Sequence, residues 1–165
     1  MSKEITLTKG YVAIVDDEDY ERVSQFKWHA VFGTTGVVYA QSSVYSGDHP
    51  TTVKLHRLVL GIIDPEIDVD HEDRNGLNCQ RYNLRLSTPH QNLGNRKKTT
   101  GCTSMFKGVS WDKRQLKWHS RITTNYKRIH LGFFASELKA ALAYDTAAIQ
   151  CFGEFALTNA MMGLL

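Results

Sequence analysis

The segment from Val69 to Arg96 restricts the possible folds of this chain more than any other part of its sequence. A short run that ends in Asp70-His71 has the composition of a β-strand. Further along, Thr88-Pro89 predicts the start of a helix, with Thr88 as N-cap and Pro89 at the first helical position, where its missing N–H group is not needed. The segment therefore predicts a strand, an irregular connection and a helix in close succession.

Polar side chains in this segment have the chemistry of a site for a hard divalent metal ion. Asn83 follows His71 by twelve residues, and Asn92 follows it by twenty-one and falls in the first turn of the predicted helix. One carboxylate, that of Asp70, and amide oxygens suit Mg²⁺, which binds one or two protein oxygens together with water and substrate phosphate. A histidine beside such a site can take a proton from water near neutral pH. The alternative is a surface turn with ordinary capping asparagines, but four residues at these offsets favour the metal site.

This spacing resembles the HNH family of nucleases over about residues 55–96, and most closely the HNH homing endonucleases of phages and mobile introns. The resemblance implies that His71 is the general base, that Asp70 and Asn92 are metal ligands, and that Asn83 orients His71. Asp70 stands where the colicin-like branch commonly has a second histidine. This oxygen-rich set favours Mg²⁺, or another divalent ion such as Mn²⁺, over Zn²⁺.

Two features next to the predicted site bear on its geometry. Neighbouring side chains of a regular strand point to opposite faces, so Asp70 and His71 share one site only where the strand ends or twists. The turn-forming residues 72–76 predict such an end. The pair His56-Arg57 is typical of the phage members of the family, and we expect it to support the active site. Packing or a DNA contact is the alternative for His56.

Composition restricts the kinds of protein that this chain can be. The 165 residues are 42% hydrophobic and 22% charged, as in ordinary globular domains, and the longest apolar runs fall well short of the roughly 18 residues that predict a membrane span. The N-terminus lacks the apolar stretch of a signal peptide, and three widely spaced cysteines form no C-x-x-C pair, so we expect no structural zinc, no disulfide framework, no membrane partner and a cytoplasmic location. The family resemblance implies a bacterial or phage-infected host cell.

The net charge of +3 is distributed unevenly along the chain. Residues 1–96 carry ten Lys/Arg and thirteen Asp/Glu, a balance of −3, whereas residues 97–165 carry ten and four, a balance of +6. The basic run Arg96-Lys97-Lys98 lies in a segment without hydrophobic periodicity, which predicts a boundary between domains at 1–98 and 99–165. A basic tether of this kind lies readily along phosphates, although a solvated linker is equally compatible with the sequence.

Local patterns predict the elements on both sides of this boundary. Residues 10–55 have the pattern of a β-rich layer, with a short helix that ends at Ser24, a hairpin loop at 33–36 and a turn at 47–50. Beyond residue 105, three strands are followed by an alanine-rich helix that begins after Ser136 and ends at Gly153. A three-stranded sheet packed on one helix leaves the other sheet face free to enter a DNA groove.

The C-terminal elements resemble the ethylene-response-factor (Apetala-two) DNA-binding domain over about residues 105–160. The resemblance is carried by Lys107-Gly108-Val109, by the Arg128-x-His130-Leu131-Gly132 strand, by Ala143-Tyr144-Asp145, and by Phe152-Gly153 ahead of Ala156-Leu157-x-Asn159. It implies DNA contacts from Lys107, Arg121, Arg128 and His130, with Trp111, Arg114 and Trp118 as nearby candidates. Ser110 and other positions depart from the family pattern, and we expect one of the two tryptophans to be buried.

The sequence as a whole predicts an α+β protein: an N-terminal β-rich layer and a ββα-metal nuclease core, followed by a three-stranded antiparallel sheet on one helix. The expected function is a metal-dependent endonuclease that acts on double-stranded DNA at a site selected by its C-terminal module. One core has one metal site, so a monomer that nicks one strand is favoured. A non-catalytic DNA-binding regulator is the alternative, and an RNA-binding protein is a weaker one because of the groove-entering sheet.

Overall fold

The computed structural model describes residues 1–33, 36–46, 49–98, 101–125 and 127–165. The hairpin loop predicted at 33–36, the turn predicted at 47–50 and the tether that joins the predicted domains each lie partly outside the described residues. The chain divides into two compact units, residues 1–88 and 89–165. This division falls at residue 88, ten residues before the boundary predicted at 98.

The described residues of the first unit form three small antiparallel sheets and two short α-helices. Strand β1 pairs with β2, strands β3, β4 and β5 form a meander, and β6 pairs with β7. The elements are β1 (Ser2–Thr6), β2 (Val12–Asp16), α1 (Asp17–Ser24), β3 (His29–Phe32), β4 (Val38–Ser46), β5 (His49–Lys54), α2 (Leu55–Leu60), β6 (Asp68–His71) and β7 (Leu84–Ser87).

Local chemistry explains where α1 begins and where α2 ends. Helix α1 begins with three acidic residues, which the positive end of the helix dipole favours. Helix α2 ends at Gly61, whose φ of 69° lies in the left-handed region that glycine adopts without steric cost. The side chains of Val15, Val23, Leu55 and Val59 are fully buried in one core that these helices and β2 share.

Arg81 fixes the segment that leads into β7. Asp19 of α1 is buried and accepts two hydrogen bonds of 2.8 Å from Arg81, in the forked arrangement that guanidinium and carboxylate groups favour. Asp16 accepts a further bond of 2.7 Å from the Arg81 backbone N–H group. The acidic start of α1 therefore anchors the segment that leads into β7, which positions the strand opposite Asp70 and His71.

The second unit is a three-stranded antiparallel sheet packed on one long helix, preceded by a single short helix. Its elements are α3 (Pro89–Gly94), β8 (Val109–Asp112), β9 (Lys117–Thr124), β10 (Lys127–Phe134) and α4 (Glu137–Phe152), with the strands in the order β10-β9-β8. Ser136 caps α4 by accepting a hydrogen bond from the Lys139 N–H group, and Gly153 follows its last residue. Buried alanines bring α4 close to the sheet.

The predicted α+β class and the three-stranded sheet on a C-terminal helix are confirmed. Strand β1 was not predicted, because its alternating pattern is short and mostly polar. Helix α3 belongs to the second unit while β6 and β7 belong to the first, and the finer prediction of a ββα-metal core stays a prediction. No helix in the described ranges is both long and apolar enough to cross a lipid bilayer.

Candidate active site and nucleic-acid interface

Asp70 lies on β6 directly opposite Arg85 of β7. The Nε and Nη2 atoms of Arg85 lie 2.9 Å and 2.8 Å from the same carboxylate oxygen, Oδ2 of Asp70. Asp70 is only 5% exposed, so the paired guanidinium compensates the charge of a carboxylate that is largely removed from water. The cross-strand register therefore holds the predicted metal ligand in one orientation.

His71 has a different set of neighbours from Asp70. Its Nε2 atom lies 3.9 Å from the Sγ atom of Cys79, and its ring packs edge-on against His56 with centroids 4.9 Å apart and also lies beside Tyr39. His71 is 5% exposed, and burial lowers the pKa of its imidazole to about 4, with a smaller opposing effect from Asp73. At neutral pH this imidazole is uncharged, so one ring nitrogen carries a lone pair.

His56 forms the other half of this buried imidazole pair. Burial, and to a lesser extent the neighbouring His71, hold its pKa well below the usual value for histidine. Its Nδ1 atom has no hydrogen-bond partner among the described residues. The structure thus brings His56 to the predicted general base, as expected of a supporting residue, and leaves its catalytic contribution as a prediction.

Asn83 supports the turn that follows His71. Its side-chain amide donates hydrogen bonds to Asp73 Oδ1 at 2.9 Å and to the Asn78 carbonyl at 2.8 Å, and its Oδ1 accepts the Asp73 N–H group. The Asn83 backbone carbonyl also accepts a bond from Glu72 N–H. The side chain therefore bonds to the turn that follows His71, and the orienting effect of Asn83 on the His71 ring stays a prediction.

Arg57 holds the connection that leads into β6. Its Nη1 and Nη2 atoms each donate a hydrogen bond of 2.6 Å, the first to the Ile67 carbonyl and the second to the Asp64 carbonyl. These bonds satisfy backbone acceptors just before the strand begins. Arg57 thus supports the placement of β6 through the backbone.

The donor set of the first unit suits a hard divalent ion in its chemistry. Asp70 offers a carboxylate of fixed orientation, whereas no group of three His, Cys, Asp or Glu side chains suited to a metal is found among the described residues. Magnesium needs only one or two protein oxygens when phosphate and water complete its shell, so Asp70 fits this mode of binding. Asn92, the second predicted ligand, is half-buried in α3 of the second unit.

Three neighbours of the predicted site were missed by sequence reasoning. They are Arg85, Tyr39 and Cys79. Arg85 had a usable signal, because pairing β6 with β7 as an antiparallel hairpin would have placed it opposite Asp70. No sequence signal pointed to Tyr39 and Cys79, because they approach His71 only through the packing of distant segments.

The basic tether and the β8–β9 turn carry accessible cations. Arg96 and Lys97 are exposed and Lys98 is half-buried. Arg114 is exposed in the turn, where its N–H group and that of Gln115 are both held at 2.9 Å by Asp112 Oδ1. These side chains remain candidates for phosphate contacts.

Lys107 does not lie where the family resemblance placed it. The residue is 9% exposed, and its Nζ donates hydrogen bonds to the carbonyls of Gly94 at 2.8 Å and Leu157 at 3.2 Å. It also lies over the ring of Tyr144. The prediction that Lys107 contacts DNA is therefore wrong for this fold, because the ammonium group satisfies buried backbone acceptors instead.

The other residues of the C-terminal signature also stabilise the fold. Asn159 is fully buried, accepts the Lys107 N–H group at 2.6 Å and donates to Asp145 at 2.8 Å. A Cβ atom on Gly108 would lie 1.9 Å from the Tyr144 ring, and the φ of this glycine is +78°. The signature thus identifies a domain architecture by its internal contacts.

The two faces of the sheet have different chemistry. The tryptophans Trp111 and Trp118 are cross-strand partners on the face that also carries Val109 and Ile122, toward α4. Trp118 packs against the buried cluster, while Trp111 is 37% exposed at the sheet edge. Strand alternation thus turns both tryptophans toward the helix, and their contacts with DNA stay predictions.

The outer face carries the remaining predicted DNA contacts. Arg121 is the cross-strand partner of His130, and Arg128 pairs with Thr123. All three predicted side chains, Arg121, Arg128 and His130, are exposed. The alternation of β9 and β10 thus gathers them on the face that α4 does not cover.

Comparison with known proteins identifies relatives of both parts of the chain. A protein named as an uncharacterized HNH endonuclease from Acanthamoeba polyphaga mimivirus is 31% identical over 156 residues, which cover 92% of this chain and 76% of the relative. Protein 3.8 of Escherichia phage T7 is 40% identical over 60 residues, 36% of this chain and half of the relative. An ethylene-responsive transcription factor of Arabidopsis thaliana is 37% identical over 102 residues, 57% of this chain and 60% of the relative. No family model matches the chain.

These relatives and the two units define a protein that combines a nuclease-type segment with a segment homologous to plant DNA-binding domains. The mimivirus relative aligns with nearly the entire chain. The chain belongs to the HNH endonuclease family, and the resemblance to both families is confirmed.

Proposed function

We propose that this protein is a metal-dependent endonuclease that hydrolyses phosphodiester bonds in double-stranded DNA, at sites selected by its second unit. The observation that carries the proposal is the end of β6, where an oriented carboxylate, Asp70, precedes an uncharged imidazole, His71. Asp70 and His71 are successive residues of β6 with different neighbours, and family membership is what links the two in this proposal. The basic outer face of the β8–β10 sheet supports the DNA-binding part.

Asp70 would hold the divalent ion, with Arg85 fixing the carboxylate from the neighbouring strand. The role of Asn92 as second ligand stays a prediction from the family resemblance. When bound, the ion, Mg²⁺ or Mn²⁺, supplies positive charge that stabilises the charge developing on the phosphate and the leaving oxygen.

His71 would accept a proton from the attacking water. Its imidazole is uncharged at neutral pH because burial disfavours the protonated form, so it is in the state that a general base requires. Asn83 keeps the following turn in place through Asp73, and His56 fixes the ring from one side. One such site acts on one strand at a time, which makes a nick the expected product.

A non-catalytic DNA-binding regulator is the second candidate. The observation that favours it is the burial of His71, whose Nε2 atom faces the Cys79 thiol at 3.9 Å. In that case the first unit would act as a scaffold, while the second unit would bind DNA.

Supercoiled plasmid DNA distinguishes the two functions. The full-length protein should convert it to the open-circular form with Mg²⁺ or Mn²⁺ and leave it intact with EDTA, and Asp70→Ala should abolish this conversion. His29→Ala, a change at an exposed histidine of the same unit, is the matched control and should cut like the parent. DNA that is bound with normal affinity but never cut under any metal condition would favour the regulator.

A further inference from the structure

Helix α4 carries an apolar stripe on the side that faces away from the β8–β10 sheet. Leu138 and Leu142 are each 51% exposed, and Ile149 is 56% exposed. Separations of four and seven residues place these three side chains within about 40° of one another around a helix of 3.6 residues per turn. The stripe therefore follows one side of the helix for about three turns.

The rest of the exposed surface of α4 is nearly uncharged. Within this helix, all of whose residues are described, Lys139 is the only exposed residue with a charged side chain, and Thr146 and Gln150 are the other exposed polar residues. The Thr146 hydroxyl donates a hydrogen bond of 3.0 Å to the Leu142 carbonyl, which satisfies its polar group within the helix. The solvent face of a surface helix is normally charged and polar, so this composition indicates that another surface covers the stripe.

The chain that follows α4 extends the apolar surface. Asp145 lies next to the stripe and accepts a hydrogen bond of 3.0 Å from the Ala160 N–H group, and Leu164 packs against the buried cluster that α4 shares with β8. The segment between them therefore runs beside the helix, with Met161 66% exposed and Leu165 39% exposed. The name α4 patch is used below for the exposed apolar side chains of both segments: Leu138, Leu142, Ile149, Met161 and Leu165.

We propose that the α4 patch is a contact between two copies of this chain, in which the two α4 helices pack antiparallel about a twofold axis. A patch without charged groups requires an occupant without charged groups, and a twofold contact brings the same patch to both sides. The patch and the basic outer face of the sheet lie on opposite sides of the second unit, so the contact leaves that face free. The inference concerns assembly and stands apart from the proposed nuclease activity.

The order of side chains along the stripe favours the antiparallel arrangement. With the axis near the middle of α4, Leu138 lies opposite Ile149 of the second copy, and Leu142 lies opposite Thr146 of the second copy. Lys139 then comes next to Gln150 of the second copy. Parallel helices would instead place Lys139 beside its own symmetry mate, and this repulsion between like charges disfavours them.

The size of the patch sets the strength of the contact. Five side chains that are roughly half exposed, with the flanking polar residues, would bury on the order of 500 Å² on each copy, or roughly 1,000 Å² in the pair. This total lies at the lower end of specific interfaces, which corresponds to a reversible dimer. We expect a dissociation constant of about 10–100 µM, so the protein is a monomer in dilute solution.

Sedimentation velocity of the full-length protein over a range of concentrations tests the contact. The buffer contains a reductant, because Cys102 is exposed and a disulfide between copies would imitate a dimer. The parent should pass from monomer to dimer, and Leu142→Glu should weaken this association by about tenfold or more, since the twofold axis introduces the charge twice. Ile63→Glu is the matched control, because Ile63 is an aliphatic residue of the first unit that is 94% exposed, and it should associate like the parent.

A mixture of two variants tests the antiparallel register. Leu142→Glu and Thr146→Lys should each associate more weakly than the parent. An equimolar mixture of the two should associate at least about fivefold more tightly than either variant alone, because the introduced acid and base face each other across the axis. In parallel helices each of these positions would face its own copy, and the mixture would gain nothing. Circular dichroism establishes that each variant is folded.

The outcomes separate this inference from the proposed function. A parent that stays monomeric to several hundred micromolar, or that dimerises no better and no worse than Leu142→Glu, would overturn the α4 contact. A mixture that associates no more tightly than its components would overturn the antiparallel arrangement. Association is measured without DNA and without metal, so none of these results bears on DNA cleavage, and absence of plasmid nicking would leave the dimer in place.

Discussion

The two units each contain a pair of histidines whose rings are in contact, and the pairs differ mainly in their access to water. His56 and His71 have ring centroids 4.9 Å apart and are buried, and His119 and His130 have centroids 4.7 Å apart on an open sheet face. Burial lowers the pKa of both histidines in the first pair, whereas in the second pair the pKa of His119 is lowered by partial burial and by its neighbour.

The comparison shows that the packing of a histidine, rather than its residue type, decides its chemistry. Burial keeps His56 and His71 uncharged. This state suits proton acceptance, and it changes little with pH near neutrality. The second pair keeps its polar atoms at the surface, where they are able to recognise a ligand.

The largest effect is expected from His71→Ala. Loss of a general base typically lowers the rate by about 10² to 10⁴, because the group stabilises the transition state and contributes little to substrate binding. Nicking of supercoiled plasmid should fall in this range, while duplex affinity measured by anisotropy stays unchanged. Nicking within a few-fold of the parent would remove His71 from the proposed role.

Arg85→Ala should strongly destabilise the first unit. It removes the guanidinium from a carboxylate that is 5% exposed, and breaking a buried ion pair in this way costs about 3 kcal/mol or more. The loss of stability is measured by urea unfolding, with hydrogen exchange at core amides of residues 1–88 as the probe. The double variant Asp70→Asn/Arg85→Ala should recover much of the lost stability, and failure to recover would show that the pair is not the cause.

Lys107→Met and Arg121→Ala should separate stability from DNA binding in the second unit. Lys107→Met leaves the buried carbonyls of Gly94 and Leu157 without this donor, so the free energy of unfolding should fall by about 1–3 kcal/mol. Arg121→Ala, at an exposed position, should change stability by less than about 0.5 kcal/mol but weaken duplex binding. Thermal unfolding and anisotropy on the same two variants test this contrast.

The smallest effect concerns pH and the buried pair. The pKa of His56 is lower in the folded than in the unfolded chain, so below about pH 6.5 the unfolded chain binds more protons and stability falls as the pH falls. His56→Leu removes this histidine and should reduce the loss of stability between pH 7.5 and 5.5 by about 1 kcal/mol. His130→Ala should leave the pH dependence of first-unit hydrogen exchange unchanged. Equal pH dependence in the parent and in His56→Leu would contradict the effect of burial.

Sequence patterns were sufficient for most of the local structure. The N-cap at Ser136, the glycine that follows α4 and the strand pattern of β9 are set by interactions within a few residues, and they predicted α4 and the C-terminal sheet. The family signatures are also patterns of residues that lie close together in the sequence. They identified both segments although they did not reveal what each signature residue contacts.

The contacts of the candidate site were decided by packing between distant segments. Lys107 has the charge of a DNA contact, but the fold places its ammonium group on buried carbonyls, and strand alternation turns Trp118 toward α4. Cys79 and Tyr39 reach His71 only through tertiary structure. Each of these arrangements depends on desolvation and on the close approach of residues that are far apart in the chain. Neither the desolvation nor the close approach can be deduced from a single sequence position.

The α+β class, the two families and the residue types at the candidate nuclease site therefore follow from local patterns in the amino-acid sequence. Three features depend on the folded chain: Asp70 is paired with Arg85, His71 is buried and uncharged, and His119 joins His130 and Phe133 on an exposed face. The physical reason is that propensity and motif spacing act within a segment. The charge state and accessibility of a side chain depend on the neighbours that the whole fold brings to it.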